Sequence, residues 1–224
     1  MKKCLIVLML ALPFLTYAED YYPTTLWPYL YPDFKEGIIS YDGGGQVKAH
    51  MNVHLLKGDL HFLKDNTIMV AEKRALKSVS IGDDLFFPVD GLFMRVVDGN
   101  DGAYVLMSVL GDFDSLFTGT GAYGTSANTQ AVTNLSSIEI GGINVTDHSK
   151  LLQDKKEANG REIDLKEKLY IKVGDKSSAA FQKDVEQAFN LSDNAEWKSF
   201  LKREKIKWRK SDDIAKVAQW IVRQ

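Results

Sequence analysis

From residue 37 to residue 110 the chain repeats one pattern: a short run of alternating apolar and polar side chains, then a cluster of Gly, Asp and Asn. Successive side chains of a strand point to opposite faces, so alternation marks a strand with one face on a core. The clusters supply the tight and left-handed conformations that reverse the chain. Residues 46–55 show it most cleanly. Val47, Ala49, Met51, Val53 and Leu55 take one face, and Lys48, His50, Asn52 and His54 take the other. Strands are expected at 37–41, 46–55, 59–64, 67–71, 78–81, 85–89, 93–98 and 103–110. No run of helical length and period interrupts them, which favours an antiparallel meander over a parallel α/β sheet. Pro88 cannot donate to a ladder, so its strand is expected at an edge or at a bulge.

The N-terminus reads as an export signal. Lys2 and Lys3 precede an apolar run over residues 5–15, and Thr16-Tyr17-Ala18 ends with small residues at the positions that set cleavage. Residues 1–18 are thus a signal peptide, the mature chain begins at Glu19, and the destination is the periplasm or exterior of a Gram-negative cell. Cys4 is the single cysteine, so the mature chain carries no disulfide and no thiol nucleophile. No second long apolar run follows, which implies no transmembrane span after signal removal. The formal net charge of −2 makes no electrostatic case for nucleic acid or an anionic membrane as partner.

Residues 19–36 form an aromatic, proline-punctuated arm in which Pro23, Pro28 and Pro32 disfavour a helix. Its rings, Trp27, Tyr29 and Tyr31 among them, either stack on a carbohydrate or peptide ligand or pack along the β-domain at 37–110. Residues 111–137 are a Gly/Ser/Thr/Asn-rich tract that cannot bury enough apolar surface to offset its ordering entropy, and it reads as a loop. Within it, residues 119–124 match G-x-G-x-x-G. That motif needs a strand leading in and a helix leading out, and the following Thr, Ser and Asn prefer turns. Tyr123, within this loop, is a further candidate for a ligand-binding surface. Asp98-Gly99-Asn100-Asp101 lacks the remaining oxygen ligands of a calcium loop and reads as a hairpin turn.

Residues 138–176 suggest further strands: a pair around Gly141-Gly142, then 161–165 and 169–173 with a turn at Lys166-Glu167-Lys168. Residues 177–224 change to helical spacing. Phe181, Val185, Ala188 and Phe189 make one stripe. Trp197, Phe200 and Leu201 mark a second helix, capped by Ser192 or Asp193. Ile214, Val217, Ala218 and Ile221 mark a third, beginning at Ser211. The basic stretch from Lys202 to Lys210 reads as a solvated helix face. The fold class is therefore α+β: mainly an antiparallel β meander, as a sheet, sandwich or open barrel, followed by about three short C-terminal helices.

Leu30-Tyr31-Pro32-Asp33-Phe34 with Gly37, the Met51-Asn52 strand with its hairpin, Ile81-Gly82 before Phe86, and Ala122-Tyr123-Gly124-Thr125-Ser126 ahead of a Lys-rich helical tail together resemble a family of uncharacterised exported β-rich proteins from gut-type anaerobic Gram-negative bacteria. The resemblance implies export and a β-rich architecture, and it implies no activity.

There is no G-x-S-x-G elbow, no H-E-x-x-H and no catalytic cysteine, and Asp147-His148-Ser149 is only a fragment of a triad. Nothing in the sequence assigns a cofactor. Two functions are expected: a non-catalytic binding or envelope-assembly module for a protein or glycan partner, or a hydrolase of envelope or dietary polymers using two carboxylates distant in sequence. A two-residue turn at Lys57-Gly58 would place His54 opposite His61, close enough for both to reach one metal ion. His50 lies about 13 Å further along the strand. The competing expectation is a pair of exposed polar side chains.

Overall fold

The computed structural model describes residues 27–113, 137–140, 143–146, 156 and 163–224, apart from residues 66 and 74. Its strands are β1 (Lys35–Tyr41), β2 (Gln46–His54), β3 (Asp59–Lys64), β4 (Thr67–Val70), β5 (Leu76–Ile81), β6 (Asp84–Val89), β7 (Leu92–Asn100), β8 (Ala103–Gly111), β9 (Ser137–Ile140), β10 (Ile143–Thr146), β11 (Leu165–Val173) and β12 (Lys176–Ala179). Its helices are α1 (Gln182–Phe189), α2 (Ala195–Glu204) and α3 (Ser211–Val222).

All strands join one open, antiparallel sheet in the order β12-β11-β8-β7-β6-β5-β1-β2-β3-β4-β10-β9. β1 is the pivot, pairing with β2 on one side and β5 on the other. Two meanders, β2–β4 and β5–β8, therefore spread from it in opposite directions. The closeness of β1 to β5 needs Gly37, because a Cβ there would lie 2.3 Å from the Ser80 carbonyl oxygen.

The sheet curls on itself. The turn after β2 reaches across to the far meander, where the Phe93 N–H donates to the Gly58 carbonyl at 3.0 Å and the Gly111 N–H to the Leu55 carbonyl at 2.8 Å. The trough is filled by the inward face: Ile39, Met51, Val53, Leu60, Val79, Phe86, Phe93 and Val109. Further along that same face of β8, Ala103 and Val105 pack instead against the helices, with Ile171, Val185, Trp197, Phe200, Ile214 and Val217. The helices thus cover the end of the trough that the sheet does not close. Trp197 is its centre, fully buried, with its indole N–H donating to Glu186 Oε1 at 2.9 Å.

The α+β meander with C-terminal helices agrees with the pattern read from the sequence. Several local expectations do not hold. Residues Lys166-Glu167-Lys168 are no turn: β11 runs unbroken and pairs with β8 from Leu165↔Gly111 to Val173↔Ala103. Its charges alternate along exposed strand positions instead of marking a reversal. Residues 176–179 are strand β12, not the approach to a helix. Helix α2 is capped by Asn194, whose side chain accepts from the N–H groups of Glu196 and Trp197, so neither Ser192 nor Asp193 is the cap. Phe181 is not on the buried stripe of α1; it is the residue before the helix and is 54% exposed. Pro88 sits in a central strand, yet the β5–β6 ladder stops at Val79↔Phe86, so no donor is missed on that side.

Candidate functional site

His54 and His61 come together by a different register from the one expected. Leu55 leaves the ladder to accept from Gly111 and to donate to the Pro28 carbonyl, and Gly58, at φ +61, donates to the His54 carbonyl. Four residues, 55–58, therefore make the turn, pairing His54 with Asp59 and Asn52 with His61. The two imidazoles meet diagonally and stack, with centroids 4.7 Å apart and planes 26° off parallel.

They are not exposed. The outward face of β2 begins open at Lys48 and His50, but the arm then lies over Asn52 and His54. Asn52 holds it there as a backbone mimic. Its carbonyl oxygen accepts from the Tyr31 N–H at 3.0 Å, and its amide donates to the carbonyls of Tyr31 at 2.9 Å and Asp33 at 3.1 Å. Tyr29 closes the layer, edge-on to both imidazoles, with its hydroxyl 2.9 Å from His61 Nδ1. Both His54 nitrogens are buried without a hydrogen-bond partner. Burial, with the Lys57 charge adding to it, lowers the His54 pKa to about 3. A shared metal ion must lie in the plane of each ligating ring. Stacking sets these lone pairs side by side instead of converging them. Among the described residues no group of three His, Cys, Asp or Glu gathers to hold a metal.

The described rings of the arm are spent on packing. Trp27 meets Phe113 edge to face at 5.7 Å, and Tyr29 meets Phe34 at 5.0 Å. Tyr31 turns over the rim of the sheet, donates to Asp84 Oδ2 at 2.5 Å, and carries Lys35 over its ring. Burial and the hydrogen bond to Asp84 hold its phenol far above the usual range. All three rings are buried and present no free face for a ligand. Tyr123, the G-x-G-x-x-G match, residues 1–18 and Asp147-His148 lie outside the described residues.

An open concavity lies elsewhere. A groove of about 510 Å³ runs between β11 and the start of the helical layer, with Val97, Met107 and Leu169 below and Phe181, Trp208 and Arg209 above. Glu167 and Leu169 stand on one face of β11, and Lys168 and Tyr170 on the other. All four line the groove, so it follows the strand's edge. β12 pairs only with Tyr170–Val173, and the rest of that edge has no strand beside it among the described residues.

Two of the large apolar side chains exposed among the described residues, Phe181 and Val97 at 37%, meet at this groove. Phe181 also occupies the N-cap of α1 and makes no side-chain cap bond, where Ser, Thr, Asp or Asn would stabilise the helix. The stretch Lys202–Lys210 is not one helix face. α2 ends at Glu204, Lys205 caps it in the left-handed region, and the remainder is the connector that carries Trp208 and Arg209 to the groove. The sequence reading missed this site because its apolar members come from β7, β8, β11 and two loops. A local signal did exist in an aromatic residue at a capping position and a tryptophan set among six basic residues.

No protein-family model, no curated protein and no solved structure matches the chain.

Proposed function

We propose that the protein is an exported, non-catalytic binding module that holds a protein or glycan partner of the cell envelope in the groove along β11. The observation that carries this reading is Phe181. An apolar ring half open to water, at a position where a capping side chain would stabilise α1, costs stability without contributing to the core. With Trp208 and exposed Val97 it lines a concavity large enough for a ligand. The hydrolase reading needs two facing carboxylates, and Glu167 is the only acid among the described residues that line the groove. Export rests on residues 1–18.

Phe181→Asp tests the proposal with the fold preserved. Aspartate at the N-cap adds about 1 kcal/mol to stability while removing the ring. Native mass spectrometry of the protein recovered from its own compartment is expected to find a bound adduct in the wild type and none in the variant. An adduct retained by a folded Phe181→Asp protein would sink the reading.

A further inference from the structure

Resting on that reading, we infer that the occupant of the groove is an extended peptide segment, alternating apolar and acidic residues, that adds to the sheet as a strand on the edge of β11 that no strand covers among the described residues.

The backbone sets the first requirement. In an antiparallel ladder alternate residues turn both their N–H and C=O to the same neighbour. The Asp112 N–H donates to the Asp164 carbonyl and the Gly174 N–H to the Gly102 carbonyl, so even-numbered residues of β11 face β8. Odd-numbered residues face away: the Leu169 carbonyl accepts from the Ala180 N–H at 2.9 Å. There the protein's own chain leaves the edge, because Phe181 turns up into α1. The N–H and C=O groups of Leu165 and Glu167 continue the same outward row and meet no strand among the described residues. An exposed row of this kind is a template for another strand.

The side chains set the second. A strand laid along residues 165–169, about 17 Å long, sends alternate side chains to the two faces of the sheet. On the inner face they enter the apolar floor of Leu169, Met107 and Val97, under Phe181. On the outer face they pass exposed Lys168, while Arg209 stands on the groove wall. The last turn of α2 and the connector beyond it carry Lys202, Arg203, Lys205, Lys207 and Lys210 around one acid, Glu204, all but Glu204 exposed, although the whole chain is net negative. Charge complementarity therefore selects acidic residues at the alternate positions.

Three blocked pentapeptides test this against the full mature chain: valine alternating with aspartate, valine alternating with lysine, and the aspartate peptide with its amides N-methylated. Binding is read by NMR titration, with amide exchange followed residue by residue. The aspartate peptide is expected to bind at least about tenfold tighter than the other two, and to slow exchange at Leu165 and Glu167. Equal binding by the methylated peptide, saturation without slowed exchange at those residues, or no binding by any of the three would overturn the inference. If the peptides fail while a native adduct is still lost in Phe181→Asp, the groove remains the binding site and the strand-addition claim alone falls.

Discussion

Acid should destabilise this protein in part through the buried imidazole of His54. His54 is 1% exposed, and both its nitrogens lack partners. Its pKa falls from 6.5 in the unfolded chain to about 3 in the native state. Above pH 6.5 the ring is neutral in both states and nothing is lost. Below it the unfolded chain binds a proton that the native protein refuses until near pH 3, so stability declines as pH falls through that window. At about 1.4 kcal/mol per pH unit the loss reaches about 2 kcal/mol at pH 5. Carboxylates titrate over the lower part of this range, so the comparison is with His54→Leu, which fills the site without nitrogens. Leucine forfeits the stacking on His61 but also removes two unsatisfied buried atoms. Its stability at pH 7.5 should therefore be close to or above that of the wild type. Urea unfolding at pH 7.5 and pH 5.0 should show the wild type losing about 2 kcal/mol more than the variant. Parallel losses would show that His54 reaches water or a partner in the native state, and the reasoning would be wrong.

Gly37→Ala should cost about 3 kcal/mol in urea unfolding, since its Cβ would meet the Ser80 carbonyl oxygen at 2.3 Å. Gly43→Ala, with nothing within 4 Å, should change stability by less than about 0.5 kcal/mol. Asn52→Leu strands the backbone groups of Tyr31 and the Asp33 carbonyl; a loss of about 2–4 kcal/mol and early proteolysis between residues 27 and 34 are expected. Intact-mass analysis of the exported protein should give a chain starting at Glu19, and retention of residues 5–15 in a soluble product would exclude the signal reading.

What the sequence made legible was local. Alternation and turn chemistry place β1–β8 because each hairpin closes between neighbours in sequence. The third helix is readable because Ser211, Asp212 and Asp213 precede an unbroken apolar stripe. Long-range contacts decided the rest. Alternation at Asn52 and His54 assigns their face correctly, yet only the arm, docked from more than twenty residues upstream, turns that face from solvent to interior. The β2–β3 register looks like a two-residue turn until Leu55 is seen bonding to Pro28 and Gly111. Lys166-Glu167-Lys168 resembles a loop because a strand end beside a groove keeps its charges in water. The groove leaves only scattered signals in the sequence, Phe181 at a capping position and Trp208 among basic residues, since Val97, Leu169, Phe181 and Trp208 lie in different elements.

The central claim is that the groove, and not the aromatic arm, is where this protein meets its partner. A photo-cross-linking benzophenone amino acid placed at position 181, and separately at exposed Val47 and Val222, puts that claim to direct trial in the native cell. Irradiation should give one discrete cross-linked species from position 181 and none from the other two. The same species from all three positions, or from Val47 or Val222 alone, would contradict it.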